Sequence, residues 1–474
     1  MSVGLKPYPA YRDSGSAWLG QIPDHWELCK LRQLLRPVTA RNRPDLPLLS
    51  VVREKGVILR DVSSRDENRN FIPDDLSNYK IVRSGQFAMN KMKAWQGSYG
   101  VSRFEGIVSP AYFVFDLHGV AADYFHDAIR SRAYVPFFTA ASDGIRTGQW
   151  DLSRNRMREI PFYIPPPVEQ KAIARYLDHV GRRVRRFIRD KQKLIKLLEE
   201  QQQTTVHRAV TRGLDPSAPL KPSGTPWLRD IPEHWDVVAV RRRWKVVDCK
   251  HLTVPFVEDG IPLASVREAQ SFELRLDSPN RTTKEEYEQL IQGGRKPQVG
   301  DLIYCRNVSV GAAALVTQDE VFAMGQDVCL IRSETEHSRW FNYYLHSEAM
   351  SDQLAQILIG STFNRINVAD IKSLLVPLPP RSEQEAIAAY LDEELEGIEA
   401  TVMSFRRQQA LLSEYWMRLV ADVVTGQLDV SAAAATLPDD HFGRESVDDE
   451  DRFPTGFDAD EAARSEADLE EIGV

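Results

Sequence analysis

Two blocks of this chain occur twice, in the same order, and a duplication of that size constrains the fold more than any other feature. Residues 14–26, Ser-Gly-Ser-Ala-Trp-Leu-Gly-Gln-Ile-Pro-Asp-His-Trp, return at 223–235 as Ser-Gly-Thr-Pro-Trp-Leu-Arg-Asp-Ile-Pro-Glu-His-Trp, with eight of thirteen positions identical at an offset of 209. Residues 165–178, Pro-Pro-Pro-Val-Glu-Gln-Lys-Ala-Ile-Ala-Arg-Tyr-Leu-Asp, return at 379–392 with ten of fourteen identical at an offset of 214. That second alignment runs on without a gap until Thr211 to Asp215 faces Thr425 to Asp429. The order is a short entry block, a variable segment and a long block, repeated once. A period of about 210 residues marks a duplicated module, since solenoid repeats are only about 20–45 residues long.

The long blocks read as helices. In the first, Ile173, Leu177, Val180, Val184, Phe187, Leu194 and Leu198 step by four and three, with Lys191 interrupting. In the second, Ile387, Leu391, Leu395, Ile398, Val402, Phe405 and Leu412 do the same. That spacing predicts a heptad seam suited to a coiled coil. Each helix starts after a proline cluster, and Ser382 with Glu385 is a candidate capping box on the second. Residues 171–212 carry twelve basic and four acidic side chains, whereas 385–426 carry three and eight. Opposite charge beside an apolar seam favours pairing of the two helices with each other, and two solvated faces of opposite sign is the plainer alternative. Symmetry then suggests an antiparallel pair around a pseudo-twofold axis. The variable segments mix short β-like runs with Gly, Pro, Asn and Asp punctuation and modest helices, which predicts α+β domains.

These readings divide the chain into five parts. They are a first domain with its entry segment at 1–160, a first spacer helix at 161–215, a second domain at 216–374, a second spacer helix at 375–430 and a tail at 431–474. The net charge of −8 argues against a polyanionic partner only until it is localised. The tail holds fourteen acidic and three basic residues, so residues 1–430 carry 57 basic against 54 acidic. Such an acid-rich stretch with little to bury reads as a solvated, disordered appendage. The N-terminal sequence lacks a signal-peptide core and no run reaches the ~18 apolar residues of a membrane span, so a cytoplasmic protein without a membrane partner is expected. Cys29, Cys249, Cys305 and Cys329 form no Cys-x-x-Cys pair and suggest neither a zinc cluster nor a disulfide framework.

Catalytic signatures are missing. The chain has no Gly-Lys dipeptide for a phosphate loop, no Gly-x-Gly-x-x-Gly run and no Asn/Asp-Pro-Pro-Tyr/Phe element. Asp370-Ile371-Lys372 has no Pro-Asp before it to complete a nuclease site, and the acids and histidines show no metal-ligand spacing. The repeated His25-Trp26 and His234-Trp235 follow Ile-Pro turns and read as a packed tryptophan beside a hydrogen-bonded histidine. Two stretches suit DNA instead. Asn90 to Gly100 offers Lys91, Lys93, Gln96 and Ser98 among glycines, and Tyr304 to Gly311 offers Arg306, Asn307 and Ser309. Cations suit phosphates, amides suit base edges and glycines allow close approach. Arg146 and Thr147 before the first helix, with Thr362 and Asn364 before the second, carry the same chemistry, and an ordinary surface turn is the plainer reading of each stretch.

The Ile-Pro-x-His-Trp entry blocks and Pro-Pro-x-x-Glu-Gln-x-Ala-Ile-Ala-x-Tyr-Leu-Asp helix starts resemble the specificity subunit of type I restriction–modification enzymes. So do Gly85 to Met92, Gly106 to Tyr112 and Gly300 to Ile303, and the resemblance spans 8–430. It implies two target-recognition domains, each reading one half of a bipartite, asymmetric site on double-stranded DNA. It also implies an antiparallel coiled coil that fixes the spacer and docks two methyltransferase (modification) subunits, joined by restriction (translocase-nuclease) subunits. On this reading the chain is a non-catalytic recognition subunit that binds no metal or cofactor, and S-adenosylmethionine, ATP and Mg belong to the partner subunits. The rival expectation is a coiled-coil scaffold that does not read DNA sequence.

Overall fold

A computed structural model describes residues 5–53, 55–60, 72–73, 75–144, 150–358 and 365–438. The chain forms two compact units, Met1–Gln192 with Phe405–Val474, and Lys193–Ser404. Each unit holds one α+β domain and one half of each long helix, Pro167–Arg212 and Arg381–Val424.

In the first unit a four-stranded antiparallel sheet runs in the order Leu35–Pro37, Phe113–Leu117, Phe87–Met89, Tyr99–Val101. In the second the order is Lys245–Asp248, Val328–Arg332, Leu302–Cys305, Ala313–Leu315. The entry blocks form matching hairpins, Tyr11–Asp13 with Gln21–Pro23 and Leu220–Pro222 with Asp230–Pro232. The strand entering each domain pairs with the strand that leaves it for the long helix: Glu27–Lys30 with Pro161–Ile164, and Asp236–Ala239 with Leu375–Leu378. The duplicated sequence is a duplicated topology. Differences lie at the periphery. The first domain adds the hairpin Leu49–Val52 with Gly56–Leu59, and the second adds a three-stranded sheet containing the parallel pair Ile261–Ala264 and Ala323–Met324.

Each sheet packs against aromatic side chains. Phe87, Tyr99, Phe125 and Phe138 are fully buried in the first core, as are Tyr304, Trp340, Phe341 and Tyr344 in the second. Buried aromatics remove about 150–250 Å² each from water, so these residues dominate the apolar driving force.

The repeated Pro-Pro-x-x-Glu-Gln start joins each helix to its domain. Gln170 Nε2 donates to Pro165 O at 2.8 Å, and its Oε1 accepts the Ala121 N–H at 2.7 Å, at the start of the helix Ala122–Arg130. Gln384 does the same with Pro379 O at 3.0 Å and the His337 N–H at 2.8 Å, ahead of Ser338–Leu345. The expected Ser382–Glu385 capping box does not form. The second helix begins at Arg381, so Ser382 already lies in its first turn and Glu385 pairs with Arg381 at 2.8 Å.

Within the first unit the two helices pack antiparallel. Gly181 lies against Trp416, Gln409 donates to Ile188 O at 3.1 Å, and the Lys191 ammonium sits 3.7 Å from the centre of the Phe405 ring. Ile173 and Leu177 are buried in the same core as Leu419 and Val423, and Val184 is buried beside Leu412 and Trp416. In the second unit Val206, Ala209 and Val210 share a core with Ile387, Leu391 and Leu395, with Ile398 packed on its edge. Val402 is buried, Leu198 and Phe405 are half-buried, and Leu194 is 43% exposed, as is Phe187. Ile173, Val184 and Val206 are buried and Ile195 is half-buried, at positions spaced eleven apart. A strict seven-residue repeat drifts about 20° per heptad around a straight helix, whereas eleven residues nearly complete three turns, so the heptad spacing departs from the buried side at Phe187 and Leu194.

Candidate nucleic-acid interface

The central strands of the two sheets are entered alike. Gly85 and Gly300 hold φ of +86° and +90°, a conformation that suits glycine. The next residue of each is tied to the adjacent strand: Gln86 Nε2 donates to Asp116 Oδ1 at 2.8 Å, and the Arg332 guanidinium grips Asp301 at 2.6 and 2.5 Å. The strands therefore deliver Lys91 and Arg306 to equivalent positions.

At those positions each domain brings together two segments far apart in sequence. The Leu152 N–H donates to Lys91 O at 3.1 Å, and the Ile366 N–H donates to Arg306 O at 2.9 Å. The stretches that precede the long helices are thereby pinned beside the polar loops. In the first domain the Trp95 and Trp150 rings lie 5.2 Å apart, and Lys91 pairs with Asp151 at 2.9 Å. Lys93 is exposed, with no side-chain partner among the described residues, and Gln96 is half-buried. Ser98 is buried, and its backbone closes the loop by accepting from Asn90 N–H at 3.0 Å and donating to Lys93 O at 3.2 Å. Arg146 and Thr147 lie outside the described residues, as do Thr362 and Asn364.

Three further cations were not singled out in the sequence. Lys80 donates to Tyr112 O at 2.5 Å. Burial depresses its pKa, and repulsion from Arg41, Arg154 and Lys91 lowers it further. Arg41 lies beside Lys80, across an isolated β-bridge. These residues stand far apart in the sequence, so no local motif could reveal them.

The second domain differs. Arg306 is only 4% exposed, and its guanidinium is held by Asp248 and by Ile366 O at 3.4 Å. It is positioned as a clamp inside the loop. Asn307 Oδ1 accepts the Val308 N–H at 3.0 Å, and the Ser309 N–H donates to Asn307 O at 2.6 Å. This tight turn forces Val308 to φ +60°, which a β-branched residue adopts only under strain, and leaves its side chain 72% exposed.

Asp248, Cys249 and His251 bring their ligand atoms within 4.8 Å of one another, a cluster that the spacing rules did not flag. His251 Nε2 lies 3.1 Å from Asp248 Oδ2, and its Nδ1 lies 3.6 Å from Cys249 Sγ. Burial alone would raise the Asp248 carboxyl, but hydrogen bonding to His251 and the Arg306 charge outweigh it and hold the pKa below its ordinary value. Burial raises the Cys249 thiol. With Arg306 already neutralising Asp248, the cluster fits a hydrogen-bonded support for that arginine. All four cysteines are free and buried.

The repeated His-Trp pairs are structural. Trp26 and Trp235 are 1% and 0% exposed. Trp26 Nε1 donates to Glu169 Oε1 at 2.9 Å, while His25 lies 2.9 Å from Oε2 of the same carboxylate. Trp235 and His234 share Glu383 at 3.1 and 2.9 Å. Asp370 accepts the Asn367 N–H at 3.3 Å and so caps the helix Val368–Ser373. Among the described residues no helix is long and apolar enough to cross a membrane.

Comparison with known proteins agrees with this architecture. The family model for the type I restriction modification DNA specificity domain matches residues 273–401. The type I restriction enzyme MjaVIII specificity subunit of Methanocaldococcus jannaschii is 19% identical over 428 residues, covering 86% of this chain and 94% of that protein. The chain carries a type I DNA specificity domain and is similar to type I specificity subunits along most of its length. A second relative from the same organism, the putative type I restriction enzyme MjaX specificity subunit, is 19% identical over 452 residues, covering 87% of this chain and 96% of its own. A solved structure on complex assembly and conformational transition of the type I R-M system contains a chain of the same fold. Its TM-score is 0.63 at 18% identity, covering 86% of this chain and 99% of that one. As a DNA specificity subunit, the protein is the non-catalytic member of its restriction–modification system.

Proposed function

We propose that each domain reads one half of a bipartite, asymmetric site on double-stranded DNA, and that the paired long helices set the distance between the halves. The observation that carries this reading is the equivalent pinning of two polar segments in each domain, through Leu152 to Lys91 and Ile366 to Arg306. A reader of base edges needs several backbone segments converging on one rim, with cations to engage phosphates and position them. In the first domain Lys93 and the group of Lys80, Arg41, Lys91 and Arg154 supply the cations. In the second, Asn307, Val308 and Ser309 present the turn that the Arg306 clamp supports. The peripheral strands differ between the domains, in keeping with two different half-sites.

The helices also suit docking of two modification subunits, and the relative solved in a study of type I complex assembly supports such a role. S-adenosylmethionine belongs to those subunits on this proposal, and ATP and Mg to the restriction subunits. Co-expression with the cognate modification subunit, followed by genome-wide mapping of methylated adenines, tests the reading. A two-part motif with a constant unspecified spacer is expected. Methylation at a single undivided motif, or none from an intact complex, overturns it.

A further inference from the structure

One face of the first long helix carries a line of cations. At 3.6 residues per turn, Lys171, Arg175, Arg182, Arg186 and Arg189 fall within a sector about 60° wide. The positions that meet the second helix, Ile173, Leu177, Gly181, Val184 and Ile188, lie on the opposite side. Lys171, Arg182 and Arg186 are exposed. Asp178 pairs with Arg182 at 3.2 Å, and neither Lys171 nor Arg186 has an acidic partner among the described residues. Five cations along about 27 Å of helix form a surface suited to an extended polyanion.

The same line grips the end of the described chain. After the second long helix the chain turns back through Val430, buried in the first core, and Ser431–Ala435. The Arg175 guanidinium then donates to Leu437 O at 2.7 Å and Pro438 O at 2.9 Å. Residues 439–474 follow at once, and they carry fourteen acidic side chains against three basic. A net charge of −11 is therefore tethered directly to the cationic line. Extended, 36 residues reach about 120 Å, several times the length of the line.

We propose that residues 439–474 are the occupant of this face, an intramolecular polyanion that competes with other polyanions for the first helix. Charge, tether and length converge on that occupant. Tethering a ligand to its surface gives it an effective concentration on the order of millimolar, enough to mask a surface whose individual contacts are weak. Exposed charges more than a Debye length apart are screened by salt, so the masking is strongest at low ionic strength.

Two measurements on the full chain test this. Carbodiimide coupling of an R186K variant places a reactive amine about 16 Å along the helix from Arg175. Links from position 186 to Asp448, Asp449, Glu450 or Asp451, lost in 0.5 M salt, are expected. Links confined to Lys171 with Asp439 or Asp440, which the tether alone would give, overturn the proposal. In the second, a fluorescein-labelled deca-glutamate is titrated into the full chain and into a chain ending at Pro438. Binding about tenfold tighter to the shortened chain at 50 mM salt is expected, with the gain abolished by R182Q together with R186Q. Equal binding to both chains, or a gain that survives those substitutions, assigns the face to another partner and removes the tail from it.

Discussion

Glu169 accepts the indole N–H of Trp26 at 2.9 Å, joining the first turn of the long helix to the entry block 143 residues earlier. Tyr8 O–H and His25 share the same carboxylate, and Glu383 repeats the arrangement for Trp235 and His234. Four identities of the sequence duplication, the Pro-Pro, Glu-Gln, Ile-Pro and His-Trp pairs, thus meet at one joint per unit. The duplication preserves the link between each domain and the long helix that follows it.

Removing that carboxylate leaves buried donors without an acceptor. Glu169→Ala is expected to destabilise the first unit by about 2–4 kcal/mol, because hydrogen bonds to a charged group contribute roughly 1.5–3 kcal/mol each and their losses overlap. Glu169→Gln, which keeps one acceptor oxygen, costs less. Urea unfolding followed by tryptophan fluorescence measures both, and equal midpoints for Glu169→Ala and the parent chain would contradict the joint.

The far ends of the two helices return to the same tryptophans. Gly426 and Gly213 hold φ of +74° and +73°. A Cβ on Gly426 would stand 2.3 Å from Pro23 Cδ, whereas on Gly213 its nearest neighbour is the Glu383 carboxylate at 2.9 Å. The proline ring cannot yield and the carboxylate can. Gly213→Ala is expected to cost about 1–2 kcal/mol, the ordinary left-handed penalty. Gly426→Ala is expected to cost clearly more, and thermal unfolding of the two variants decides the order.

Lys93 and Arg306 separate contact from support. Lys93→Ala leaves the fold intact and weakens DNA binding equally across sequences, reducing the slope of log K against log salt by about 1. Arg306→Ala uncovers Asp248 in a largely buried pair, and loss of one partner from such a pair costs about 3–5 kcal/mol. Its binding defect should therefore track unfolding of the second domain. Salt-dependent binding isotherms with parallel denaturation curves show which residue does which.

Much of the fold was legible because duplication is visible without structure: the entry blocks, the two long helices and two domains of like topology. The seam was misplaced at Phe187 and Leu194, since local stepping by three and four does not distinguish seven-residue from eleven-residue spacing until many turns have passed. The interface was legible as loops and not as residues. Lys80, Arg41 and Arg154 join Lys91 only through tertiary packing. Arg306 looks like a free cation in sequence and is buried in the structure, because nothing local announces Asp248 as its partner.

The central claim, that the paired helices measure the distance between half-sites, is tested most directly by lengthening both. Two eleven-residue units inserted after Gln192 and again after Ser404 preserve the antiparallel register and add about 33 Å of helix, close to one turn of DNA. Methylated-adenine mapping with this variant should return both half-sites unchanged and a spacer about ten base pairs longer. An unchanged spacer, or altered half-sites at the original spacing, contradicts the account.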